Sequence, residues 1–148
     1  MKLTSFSDYT LRTLIYLALD PTRQATVAEL AEKFGVPANH MTKVVHRLGQ
    51  EGDIATQRGQ RGGIRLARPA AQINVGAVIR RTEPDFEMVP CFAEADTCVI
   101  SPHCVLQHKL EEATAAYLAV LDGCTLADLI VPRSALASLL ALRPTVTA

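Results

Sequence analysis

Cys91, Cys98 and Cys104 fall within the fourteen-residue stretch CFAEADTCVISPHC, which also carries acids and a proline and shows no sustained periodicity. Three thiols in one irregular segment point to a metal centre. Paired cysteines that close on a single zinc ion are usually separated by roughly two to four residues, whereas the gaps here are six and five. An iron-sulfur cluster is larger than one ion and is held by thiolates, so the loose spacing suits a cluster better than zinc. One coordination position is left open. His103 and His108 are nearby imidazoles that can bind iron. Cys124 lies beyond them, beside Gly123, where a lone cysteine reads as a small core residue.

A second group of residues suits nucleic acid. In ANHMTKVVHRLGQ, Met41, Val44, Val45 and Leu48 make one apolar stripe, and Asn39, Lys43, His46 and Gln50 lie roughly opposite it. His40, Thr42 and Arg47 complete the polar surface. Asn and Gln pair bidentately with adenine and Lys reaches guanine, which is suitable chemistry for reading the major groove. A few residues on, RGQRGGIR presents Arg58, Arg61 and Arg65 around glycines, a hairpin tip able to meet phosphates or enter the minor groove. Amphipathic helices often carry such polar faces merely as solvated surface, and it is the neighbouring basic hairpin that favours DNA.

The elements that must hold these residues are mostly helical. Leu11, Leu14, Ile15 and Ala18 recur at helical spacing behind Ser5 and Ser7, either of which can cap the first turn. Thr26 and Glu29 form a capping-box pattern before a short helix that Gly35 stops, and Pro37 pre-sets the next helix. Runs at 54–57 and 64–67 make the hairpin. Asn74 is placed to cap another short helix, ended by Pro84. Ser101 and Pro102 predict the start of the longest helix, whose stripe Leu106, Leu110, Ala113, Tyr117 and Leu121 can bury against a second subunit before Gly123. Shorter elements follow Thr125 and Ser134. The fold expected is mainly α with a small β-hairpin wing: a winged helix-turn-helix domain over 1–82, a cluster-binding loop over 83–104, a dimerisation helix over 102–123, and short helices and a tail over 124–148.

At 148 residues the chain supports one domain, or a small domain plus an appendage. Fifteen basic and fifteen acidic residues cancel, but their distribution is uneven. From Ile54 to Thr82 there are six arginines and no acid, and from Glu83 to Cys98 five acids and no lysine or arginine. The first stretch can face phosphates and the second cannot. No signal peptide is recognisable and no window approaches the roughly eighteen apolar residues of a membrane helix, so a cytoplasmic protein with no membrane partner is expected. In that reducing compartment the cysteines read as ligands or thiols rather than disulfides. No phosphate-binding glycine loop, nucleophile elbow or metalloprotease motif argues for an enzyme.

FSDYTLRTLIYLA, VAELAEKFGVPANHMTKVVHRLGQEG, RGQRGGIRLARP and the three-cysteine segment together resemble the winged-helix iron-sulfur repressors, over nearly the whole chain to about Leu121. Within them the chain is more similar to the NsrR-like nitric-oxide sensors than to the IscR-like cluster-assembly regulators. The resemblance implies a homodimer joined by the long helix, with one cluster per subunit held by Cys91, Cys98 and Cys104. It also implies a fourth ligand, Asp8 of the partner subunit. Without the resemblance, Asp8 is an ordinary first-turn acid favoured by the helix dipole. IscR-like sequences carry a histidine three residues after the third cysteine. Gln107 stands there instead, which favours a 4Fe-4S cluster over 2Fe-2S. The function implied is repression at double-stranded promoter DNA, lifted when nitric oxide reacts with the cluster or the cluster is lost. The alternatives are a zinc site or thiol redox switch on the same fold, an IscR-like regulator, and a small electron carrier, which leaves the arginine wing unexplained.

Overall fold

Thr4, rather than Ser5 or Ser7, caps helix α1 (Ser5–Leu19), its hydroxyl accepting the Ser7 amide at 3.2 Å. A computed structural model describes residues 2–57, 59, 62–93 and 98–142 of the chain. Helix α2 (Val27–Phe34) begins as the sequence predicts, with the Thr26 hydroxyl accepting the Glu29 amide at 3.1 Å. The reciprocal half of the capping box gives way to tertiary contacts. Glu29 instead accepts the Tyr16 hydroxyl and pairs with Arg23 at 2.6 Å, fastening α2 to α1. Burial, and then the Glu29 carboxylate, push the Tyr16 phenol above its ordinary value. Gly35, at φ 62°, takes the left-handed conformation that ends α2, and α3 (Ala38–Gln50) follows from Pro37.

Strands β1 (Ile54–Gln57) and β2 (Gly63–Leu66) pair antiparallel, Ile54 opposite Leu66 and Thr56 opposite Ile64. Ile64 also exchanges two backbone hydrogen bonds with Ala25, at 2.9 and 2.7 Å, which ties the hairpin to the α1–α2 connection. The core lies beneath it: Leu14, Leu30, Met41, Val44, Leu48, Ile54 and Ile64 are all buried. They come from α1, α2, α3 and both strands, so apolar burial fixes how the reading elements sit together.

Helix α4 (Val75–Thr82) starts at Asn74, whose side-chain Oδ1 accepts the Ala77 amide at 2.9 Å. It packs along α1 and along the long helix α5 (Val105–Asp122). The α5 junction is close. Arg80 pairs with Asp122, Asn74 donates to the Asp122 carbonyl at 2.6 Å, and a Cβ on Gly76 would lie 2.8 Å from the Asp122 backbone nitrogen. Gly76→Ala is therefore expected to cost about 1–3 kcal/mol through overpacking, readable as a lower thermal midpoint; an unchanged midpoint would contradict the close packing. Helices α6 (Leu126–Leu129) and α7 (Arg133–Leu139) return to the core, and Arg133 donates to the Ala18 and Leu19 carbonyls at the end of α1. The element expected after Ser134 thus starts slightly earlier, at Arg133.

Candidate metal centre and nucleic-acid interface

Helices α2 and α3 meet through the Gly35 turn, with Met41, Val44, Val45 and Leu48 buried against the core. Asn39, His40, Thr42, Lys43, His46, Arg47 and Gln50 are all exposed on the rest of α3. Two of them are locally ordered. The Asn39 side-chain Oδ1 accepts the His40 amide at 2.9 Å, and the Thr42 hydroxyl donates to the Ala38 carbonyl at 2.8 Å. Arg47 has an internal partner as well, pairing with Glu51 at 2.9 Å and donating to the Arg81 carbonyl at 3.4 Å.

On the wing, Arg65 is exposed on β2, opposite Ala55. Arg58 and Arg61, expected at the wing tip, lie outside the described residues. Three other arginines of the basic stretch turn toward acids: Arg68 to Asp53, Arg80 to Asp122, and Arg81 to both Asp53 (2.8 Å) and Glu51 (3.3 Å). Arg80 and Asp122 hold each other charged, the arginine raised and the carboxyl lowered from their ordinary values, chiefly by their shared hydrogen bonds. Six arginines without an intervening acid therefore overstate the positive surface offered to phosphate. Asp53 is the residue that sequence reasoning passed over. It is fully buried, yet in sequence it is one acid after a glycine, with nothing local to mark its two arginine partners.

Cys91 lies in a short 3-10 turn (Pro90–Phe92) and is half-buried, Cys98 is exposed, and Cys104 is half-buried immediately ahead of α5. The long helix does not start at Ser101 and Pro102, which form a separate 3-10 turn with His103. It starts at Val105, and the Cys104 sulfur takes the capping place, accepting the Gln107 amide at 3.4 Å. Gln107 also donates from its side chain to the Cys91 carbonyl at 3.4 Å. One residue thereby ties the first and third cysteines of the segment. Beside Cys91 is a cavity of about 470 Å³ whose lining includes Asp85, Glu87, Phe92, Gln107 and Glu111.

Among the described residues, no three His, Cys, Asp or Glu side chains gather as they would around one ion. The donor set itself, three sulfurs on a segment whose two ends are tied through Gln107, fits the chemistry of a thiolate-held cluster. Of the other ligand candidates, His103 and His108 are exposed, and His108 stands 3.5 Å from Glu111. Asp8 is half-buried in the first turn of α1 and holds Arg12 through both carboxylate oxygens, at 2.9 and 2.8 Å. The Cys124 thiol is pushed up by burial, with Asp128 adding to the effect, and lies 3.6 Å from the Thr125 carbonyl, as suits a packing thiol.

A family model, Rrf2, described as an iron-dependent transcriptional regulator, matches residues 3–132. The chain belongs to the Rrf2 family. Its relatives include the HTH-type transcriptional regulator NsrR of Bacillus subtilis (strain 168), 48% identical over 97% of this chain and 99% of that protein. The NsrR of Halalkalibacterium halodurans is 46% identical over 97% and 100%. Among solved structures, the oxidized form of Staphylococcus aureus CymR matches with TM-score 0.71 and 26% identity, covering 88% of this chain and 97% of that one. T. potens IscR matches with TM-score 0.70 and 24% identity over 88% and 86%, a likeness of fold. The chain is thus a transcriptional regulator of the Rrf2 type, similar to NsrR, and not an enzyme. Its fold is the mainly α, winged helix-turn-helix architecture expected from the sequence. Among the described residues no helix is long and apolar enough to cross a membrane.

Proposed function

We propose that this Rrf2 protein is a cytoplasmic, homodimeric repressor of double-stranded promoter DNA. In this reading Cys91, Cys98 and Cys104 of each subunit hold an iron-sulfur cluster, 4Fe-4S rather than 2Fe-2S, and nitric oxide is the effector. The carrying observation is the position of the cysteines in the chain. They span the connection between α4, whose last residues bond to α1 and α3, and α5, a helix with no buried residue of its own. A change at the cysteines therefore acts on the segment that joins reader to dimerisation helix.

The exposed side of α5 supports the homodimer. Leu106 and Val120 are 64% and 73% exposed, and Ala113 lies midway between them at heptad spacing. An apolar line of this kind on a long helix suits a partner helix. Leu110, Tyr117 and Leu121, which the sequence places in the same stripe, are already half-buried within the subunit, so the pairing face is the Leu106, Ala113 and Val120 edge. Two α3 helices in such a dimer would address half-sites about one helical turn (~34 Å) apart.

When bound, the cluster supplies iron that a small diatomic can attack. The three thiolates would hold it, Gln107 ties the Cys104 sulfur to the Cys91 carbonyl, and Asp85 and Glu87 beside Cys91 keep that face off DNA phosphates. Asp8 of the partner subunit is the proposed fourth ligand. Carboxylate is a weaker partner for iron than thiolate, which makes that position the accessible one, and its use requires the Arg12 fork to open. The cysteine-bearing face and the α3 face are thereby given separate tasks.

The test is a titration of anaerobically purified protein with nitric oxide, following visible absorption and promoter binding together. Parallel loss supports the reading, and a colourless protein that binds promoter normally favours zinc or a thiol switch. For the reader itself, Lys43→Ala is expected to weaken promoter binding by about 1–3 kcal/mol at fixed salt, measured by fluorescence anisotropy. Wild-type affinity would remove Lys43 from base recognition.

A further inference from the structure

At the end of α4, three consecutive residues grip two parts of the molecule. Arg81 reaches the buried Asp53 carboxylate at 2.8 Å and Glu51 at 3.3 Å, while its carbonyl accepts Arg47 at 3.4 Å. Glu51 closes the C-terminus of α3, and Asp53 stands directly before β1, where it also takes Arg68 from just beyond β2. One guanidinium therefore holds both the recognition helix and the base of the wing. Thr82 and Glu83 face the other way. The Thr82 hydroxyl accepts the Ser7 hydroxyl at 2.8 Å, and the Glu83 carboxylate accepts the Thr4 amide and hydroxyl at 2.9 and 3.0 Å. Those partners form the first turn of α1, which carries Asp8. From Glu83 the chain runs on into the cysteine segment.

We infer that Arg81 is the positioning residue through which the state of the cysteine segment reaches the recognition helix and the wing, an inference that rests on the cluster reading above. Asp53 is completely buried, so parting it from Arg81 would leave a buried carboxylate with one partner fewer, a costly arrangement. A shift at the end of α4 is instead passed on to the elements that share the pair. The network is also shared. Among the described residues, the acids that pair with Arg47, Arg68 and Arg81 are Glu51 and Asp53, and Glu51 is divided between Arg47 and Arg81. Glu51 meets Arg47 with one carboxylate oxygen and Arg81 with the other, so it keeps a partner if either contact opens and the α3 end can follow α4 without stranding a charge. A guanidinium is suited to this place because its planar fork meets two carboxylates at once, which a lysine ammonium does not reproduce.

The experiment compares full-length wild type with Arg81→Lys, each iron-loaded and iron-stripped. Two quantities are read: the ratio of promoter affinities between the two states, and the change in hydrogen exchange over residues 44–57 and 63–68 on stripping. Arg81→Lys is expected to keep the visible absorption and helical content, to lower the wild-type affinity ratio by about fivefold or more toward one, and to lose the exchange difference. Glu51→Gln, which loosens only the α3 limb, should lower the ratio while leaving the change over 63–68. Should Arg81→Lys fail to fold, that second variant carries the test. A wild-type ratio and wild-type exchange difference in a folded, coloured variant would overturn the role of Arg81 alone. A wild type that is colourless, or whose affinity is equal in both states, would sink the cluster reading and this joint with it.

Discussion

Serine at position 104 is expected to abolish the visible absorption of the iron-loaded protein and to reduce promoter affinity to that of the iron-stripped form, by about 5- to 150-fold if the coupling is of ordinary allosteric size. Serine is the informative choice. Cys104 occupies the capping place of α5 and accepts the Gln107 amide, and a serine hydroxyl performs that task at least as well. Helical content should therefore survive while the ligand is lost. Alanine would confound the two effects, since removing a cap costs about 0.5–2 kcal/mol by itself. Circular dichroism, an absorption spectrum and a binding isotherm on one sample decide the matter. A coloured Cys104→Ser protein with full affinity would exclude this sulfur from the site.

Asp53→Ala carries the largest expected effect on stability. The carboxylate has 1% side-chain exposure and takes Arg68 from just beyond β2 and Arg81 from α4, while the residue's backbone N–H and carbonyl are bonded to Leu48 and Ala67. Breaking a buried pair by removing one member costs about 3–5 kcal/mol. The two arginines remain partly open to water, at 37% and 28% side-chain exposure, so the lower end of that range is the expected result. Against a typical total of about 5–15 kcal/mol this is a large fraction, visible in a chemical denaturation curve. A cost below about 1 kcal/mol would mean that the charge network contributes little to the wing and α4 junction. The comparable surface pair, Asp8 and Arg12, should contribute no more than about 0.3–0.5 kcal/mol.

The helix-turn-helix was legible because its signals are local. Thr26, Gly35 and Pro37 punctuate α2 and α3, and the Met41, Val44, Val45 and Leu48 stripe gives the buried face directly. The wing was legible from two short runs around glycines. Helix starts were less so. Thr4 takes the cap of α1 because Glu83, seventy-nine positions away, binds its amide and hydroxyl, and no nearby residue announces that. At α5, serine followed by proline does open a helical turn, but a 3-10 one, and the sulfur of Cys104 caps the helix proper.

Charge pairing was the least legible feature. Arg68, Arg80 and Arg81 look like phosphate contacts when counted along the chain, and the fold brings an acid to each. In the same way, the stripe on α5 proved to be two edges, one used within the subunit and one left exposed, a division that periodicity alone does not make. The cysteine segment was legible as chemistry, through residue type and spacing, while the tie between Cys91 and Cys104 through Gln107 depends on the turn geometry of the folded chain.

The most direct test of the central claim is promoter affinity measured on one preparation before and after its iron is removed, at constant salt, with the absorption spectrum recorded each time. Colour and tight binding should disappear together and return together on reconstitution. Equal affinity with and without iron would contradict the proposal that a cluster on Cys91, Cys98 and Cys104 governs how this regulator holds DNA.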